Sequence, residues 1–162
     1  MIGGVLVAAA AFSLSSPAFK EGGSIPSRFT CDGTDRSPAL AWSGAPANTK
    51  SFALIMHDPD APMAGGFTHW VLFDIPATSK QLPEGFQPGS VGVSGTSGFR
   101  RPGYGGPCPP SGSHHYHFML SALDVPTLGL QASATKADVE KAMQGHVVGT
   151  AELVGTYQRK PK

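Results

Sequence analysis

A chain of 162 residues is long enough to bury one hydrophobic core and too short to divide into two ordinary domains. Its 12 basic and 11 acidic residues leave a net charge of +1, so it carries no field that would gather nucleic acid or an anionic membrane surface. Its 21 glycines and 15 prolines make up more than a fifth of the chain, against about 12% in ordinary globular proteins, which disfavours a helical architecture and points to a turn-rich, all-β fold.

In chain order, the first feature is the apolar run 2–14, IGGVLVAAAAFSL, which has the length of a signal-peptide h-region and is too short to span a bilayer. No Lys or Arg precedes it. Residues 1–15 are therefore read as a signal peptide or an apolar N-terminal extension, and 16–162 as the folded domain. The expected location is exported, periplasmic or secreted, with the cytoplasm as the alternative. Cys31 and Cys108 are too few for a disulfide framework, and spacing does not decide whether they meet; a free, buried Cys31 is the alternative.

Beyond residue 16, short apolar segments alternate with turns such as Glu21-Gly22-Gly23 and Cys31-Asp32-Gly33, the spacing of a sandwich. Segments 51–57, 69–75 and 114–123 read as core strands. A fourth, 147–157, places Val147, Ala151, Leu153 and Tyr157 on one face and Thr150, Glu152 and Thr156 on the other. One helix is expected over 136–144, with Thr135 as N-cap, Val139, Ala142 and Met143 on one face and Gly145 at C′. The stretch 76–113 is rich in Gly, Pro and Ser, and a loop of that length in a compact domain is usually functional. The fold expected is an antiparallel two-sheet β-sandwich with a short helix near the C-terminus.

Polar residues collect at the strand ends. Asp58 follows one strand and shares the parity of Phe52, Leu54 and Met56; His69 opens the next with the parity of Val71, Phe73 and Ile75. His114 and Tyr116 open the third with the parity of Phe118 and Leu120. Four polar side chains from three segments thus face the core and form a concave pocket over an apolar floor. Two imidazoles, a phenol and the N–H groups of a glycine-rich turn make a donor array for a tetrahedral oxyanion, with Asp58 as the carboxylate partner of an imidazole. The prolines Pro109 and Pro110 stiffen one rim.

Other chemistries find less support. Parity sends His114 to one face and His115 and His117 to the other, so the histidine cluster does not converge on a metal. The chain has no Gly-x-Ser-x-Gly elbow and no His-Glu-x-x-His, and the glycines at 103–106 lack the Gly-Lys-Ser/Thr ending of a P-loop. No catalytic residue, metal or cofactor is expected.

The DPDAP run at 58–62, the strand-opening His69, and the Pro109-Pro110-x-Gly-x-His114-x-Tyr116 run occur in an order that resembles the phosphatidylethanolamine-binding family, in its bacterial, Raf-kinase-inhibitor-like branch. The resemblance covers nearly all of the chain from about residue 16. It implies a ligand-binding set of Asp58, Pro62, His69, Pro109, Pro110, His114 and Tyr116, together with Cys108, which stands where animal members have glycine. Phe67 stands where those members have tryptophan. The function it implies is non-enzymatic binding of a small phosphate-type anion, a phosphorylated head group or phosphorylated side chain. The alternative is an inhibitor or regulator acting through its surface on a kinase or peptidase.

Overall fold

The computed structural model describes Gly4 and residues 11–160, so most of the N-terminal apolar run lies outside the described residues. In chain order the strands are β1 (Ser13–Ser15), β2 (Leu40–Ser43), β3 (Ser51–Asp58), β4 (Phe67–Pro76), β5 (Gln81–Leu82), β6 (Val93–Ser94), β7 (Ser113–Leu123) and β8 (Val147–Gln158). One α-helix, α1 (Lys136–Met143), and a 3-10 turn at Ser27–Phe29 complete the elements. All named strand pairs are antiparallel, in a three-stranded sheet β1-β2-β5 and a five-stranded sheet β6-β4-β3-β7-β8. Pairing begins at Ser13, three residues ahead of the domain start expected at 16.

The centre of the large sheet, at β3 and β4, is buried on both faces, which explains why β3 reads as a continuous apolar run rather than an alternating one. Phe52, Leu54 and Met56 point into the core shared with Leu14, Leu40, Trp42 and Leu82 of the small sheet. Ala53 and Ile55 point the other way, into a second cluster with Val71, Phe73 and Leu123 beneath Val139 and Met143 of the helix. Each fully buried Leu, Ile or Phe contributes about 2 kcal/mol relative to exposure. The helix starts where the sequence places it: Thr135 Oγ1 accepts from the Asp138 N–H while the Asp138 carboxylate accepts from the Thr135 N–H, a complete capping box. Gly145, at φ 80°, takes the left-handed turn after it.

The alternation of β8 holds for Ala151, Leu153 and Tyr157, all buried, but fails at Val147, which is exposed. A bulge is the cause. Ala122 pairs with Gly149 and Leu123 with Val147, so one residue is skipped and the start of the strand turns over, leaving Val148 to pack against the core instead.

Cys31 and Cys108 are joined by a disulfide across 77 residues, tying the turn after Phe29 to the long loop between β6 and β7. Closing a loop of that length removes denatured-state entropy worth up to about 4 kcal/mol. Urea denaturation with and without a reductant should show the reduced protein less stable by a large part of that amount. Identical midpoints would mean that the bridge constrains neither state.

Candidate functional site

β3 lies between β4 and β7 in the large sheet, so the end of β3 and the starts of its two neighbours meet at one edge. Asp58 is the last residue of β3, while His69 sits near the start of β4 and His114 and Tyr116 near the start of β7. These four side chains line one cavity of about 210 Å³. Pro62, Cys108 and Pro110 line it as well. Sequence reasoning also expected Pro109. That residue is buried and lines a neighbouring cavity with Pro110, Gln158, Arg159 and Lys160 instead. Consecutive prolines in an extended segment point in different directions, so one of the two faces the cavity.

Asp58 is 2% exposed, and a carboxylate buried that deeply needs partners for its oxygens. Oδ1 accepts from the backbone N–H of Asp60 at 2.8 Å, an interaction the turn Asp58-Pro59-Asp60 makes locally. Oδ2 accepts from His114 Nδ1 at 2.6 Å, across the β3–β7 boundary. This bond fixes the tautomer of His114 and leaves its Nε2 as the nitrogen available to the cavity.

His69 reaches the cavity by a route that strict alternation does not give. Val71 and Phe73 face the helix while Ile75 faces the sandwich core, so the four residues expected on one face are split. Met56 pairs with Trp70 and His57 with Thr68, which leaves His69 as the extra residue of a bulge. The bulge turns its ring toward Asp58 and Tyr116. His69 Nδ1 donates to the Gly105 carbonyl at 2.8 Å, and the Gly105 N–H returns a bond to the His69 carbonyl. Burial pushes the imidazole below its ordinary pKa, against the opposing influence of the Gly105 bond and the Asp58 charge. A neutral ring that donates through Nδ1 presents Nε2 as an acceptor, so His69 is not the second donor that the sequence suggested.

The segment that supplies Gly105 is held from below. Tyr104 Oη donates to the Phe29 carbonyl at 2.6 Å, the Gly106 N–H donates to Asp35 Oδ1 at 2.7 Å, and the Cys31 N–H donates to the Pro107 carbonyl at 3.1 Å. A Cβ at Gly106 would stand 2.2 Å from the Phe29 carbonyl oxygen, so only glycine fits there.

Tyr116 is fully buried and its ring lies edge-on to His69, centroids 5.2 Å apart. Burial, reinforced by Asp58 and Asp60, raises the phenol well above its ordinary pKa, so it stays protonated and can donate. Among the described residues its hydroxyl is one of four buried side-chain polar atoms without a hydrogen bond, and the only one of the four that lines the cavity.

His115 and His117 point away, as parity requires: exposed His115 donates to Asp60 Oδ2 at 2.7 Å, and His117 lies near Glu152 on the helix side. Not in the expected set were Ala61 and Phe67, which also line the cavity, and the exposed Met63 and Phe99. The signal of the last two was weak, a single methionine and a single phenylalanine in glycine-rich loops.

A sandwich with a preformed, mostly apolar cleft holding a few convergent polar groups at the strand ends is the architecture of a small binding domain. Residues 15–158 match the phosphatidylethanolamine-binding protein family, and the chain belongs to that family. It is 49% identical over 156 residues to a UPF0098 protein of Methanothermobacter thermautotrophicus, covering 91% of this chain and 99% of the relative. It is 48% identical over 149 residues to a UPF0098 protein of Aquifex aeolicus, covering 89% and 86%. The crystal structure of Escherichia coli YbcL, described as a member of the mammalian family, superposes with a TM-score of 0.86 at 35% identity over 93% of this chain and 100% of that one. A homologue from Chlamydia trachomatis superposes equally well, with a TM-score of 0.86 at 38% identity over 93% and 99%.

The lowered pKa of His69 has a consequence for stability. The unfolded chain binds that proton near pH 6.5, whereas the folded chain binds it only at lower pH. The stability contributed is therefore complete above about pH 6.5 and is lost as pH falls through the folded value. His69→Gln should lose less stability than the native chain between pH 7.5 and 5 in parallel urea titrations. Equal losses would show that His69 titrates alike in both states.

Proposed function

We propose that the chain is a non-enzymatic binding protein whose cleft takes a phosphate-type anion, borne by a phosphorylated head group or a phosphorylated side chain. The observation that carries this reading is the unpartnered Tyr116 hydroxyl, buried at the floor of the cleft beside the Asp58–His114 pair. Leaving a hydroxyl buried without a partner costs free energy, and a ligand oxygen that accepts from it recovers that cost. The imidazolium form of His114 adds an Nε2–H donor, with its charge balanced by Asp58. His69, neutral, accepts from the P–O–H group of a phosphate monoanion.

Such a set binds and does not turn over. Cys108 is in a disulfide and supplies no thiolate nucleophile, and the phenol of Tyr116 is held protonated. An exported location belongs to the same proposal and is supported by the disulfide, since such bonds persist in oxidising compartments. Among the described residues no helix is long and apolar enough to cross a membrane.

Calorimetric titration with inorganic phosphate tests the reading. Affinity should weaken toward alkaline pH, where the P–O–H proton that His69 accepts is lost. His114→Asn keeps an N–H for Asp58 while removing Nε2, and should weaken binding by about 1.5–3 kcal/mol. His115→Ala should leave affinity unchanged. Comparable losses at both positions, or no saturable binding at millimolar phosphate, would defeat the proposal.

A further inference from the structure

We infer that the cleft selects phosphate monoesters whose organic part is aromatic, through an apolar collar formed by Met63, Phe67 and Phe99, and that it disfavours esters carrying an ammonium group. This rests on the anion reading above and names the class of ester. Among the described residues the exposed large hydrophobic side chains are Met63 at 49%, Phe99 at 38% and Val147 at 44%, and two of these three stand at the mouth of this one cavity. Exposed apolar side chains gathered at one site mark a contact surface, whereas scattered ones do not.

The collar is built on the site below it. The Phe67 and Phe99 rings meet edge to face with centroids 4.8 Å apart, and each also meets His69, at 5.1 Å and 5.4 Å. His69 in turn meets Tyr116, so an aromatic wall runs from the donor at the floor to the lip. Volume agrees. The cavity of about 210 Å³ corresponds to about seven waters at the ~30 Å³ each takes in the liquid, more than the five heavy atoms of a phosphate group displace. The space left over is bounded by the side chains of Phe67, Phe99 and Met63, two aromatic rings and a thioether that favour an aromatic group.

An ammonium group finds little there. Asp58 is the one carboxylate lining the cleft, it is 2% exposed, and each of its oxygens already accepts a hydrogen bond. Asp60 is held outside by His115. Behind the collar the Arg101 guanidinium stands over the Phe99 ring, 5.4 Å from its centroid, where it takes one face of the ring and disfavours a second cation against it.

The test is calorimetric titration of the full chain at one pH with inorganic phosphate, phenyl phosphate and O-phosphoethanolamine. Phenyl phosphate should bind about tenfold or more tighter than O-phosphoethanolamine, the discrimination one apolar group earns in an apolar pocket. The ratio of the two ester affinities should shrink to within about threefold in Phe99→Ala. Because the Phe99 ring lies against Gly105, Met63→Ser tests the collar independently from the opposite lip and should shrink the ratio in the same direction. The ratio cancels any shared loss of phosphate anchorage. Equal affinities for the two esters, tighter O-phosphoethanolamine, or a ratio unmoved in both variants would overturn this inference while leaving the anion site standing. Failure of all three ligands to bind would overturn the anion reading itself.

Discussion

A carboxylate buried at the end of the central strand is the constraint around which this site is organised. Asp58 cannot sit 2% exposed in a sandwich core unless both oxygens are engaged, and the chain engages them from two directions. One partner is local, the N–H of Asp60 in the turn that leaves β3. The other is His114, fifty-six residues away, and that bond fixes the His114 tautomer and leaves its other nitrogen to the cavity that Tyr116 also lines. Removing His114 would strand the buried Asp58 carboxylate, a cost of about 3–5 kcal/mol, so the geometry of the cleft and the stability of the sheet edge are one property.

The long loop has the complementary task of holding His69. The Gly105 carbonyl that orients His69 belongs to a segment clamped by Tyr104, Gly106, Pro107 and the disulfide at Cys108 onto the chain around Phe29 and Asp35. A glycine-rich loop would otherwise be too free to present a carbonyl at a fixed position. Three hydrogen bonds and one covalent link remove that freedom before any ligand arrives, which is what preorganisation requires.

Much of this was legible in the sequence. The two-sheet architecture followed from composition and turn spacing, and the strand face carrying His114 and Tyr116 followed from alternation, because β7 pairs with β3 in unbroken register. Alternation failed where strands bulge. His69 came to the cleft despite its parity and Val147 left the core despite its own, and neither is marked locally in the sequence, since a bulge is defined by the pairing with the neighbouring strand. Pro109 was misplaced because a dipeptide of prolines fixes backbone direction without fixing which ring faces inward. Met63 and Phe99 were missed because a loop residue acquires its neighbours only from the tertiary fold. Whether Cys31 meets Cys108 depends on the same clamp, and the spacing of two cysteines carries no information about it.

The donor array read from the sequence and the structure differ about His69. As one of two cationic donors it would make the cleft a purely electrostatic anion trap. Buried, neutral and donating to Gly105, it fits the proposed reading of a cleft that would match donors to acceptors around a protonated phosphate, with the unpaired Tyr116 hydroxyl offered to the ligand. The central claim is that this hydroxyl is retained for binding at the expense of stability. Tyr116→Phe, measured for unfolding free energy without ligand and for phosphate affinity, tests it most directly. The free protein should lose no stability and gain up to about 1 kcal/mol, while phosphate binding weakens by about the same amount or more. A destabilised variant that binds phosphate with undiminished affinity would contradict the account.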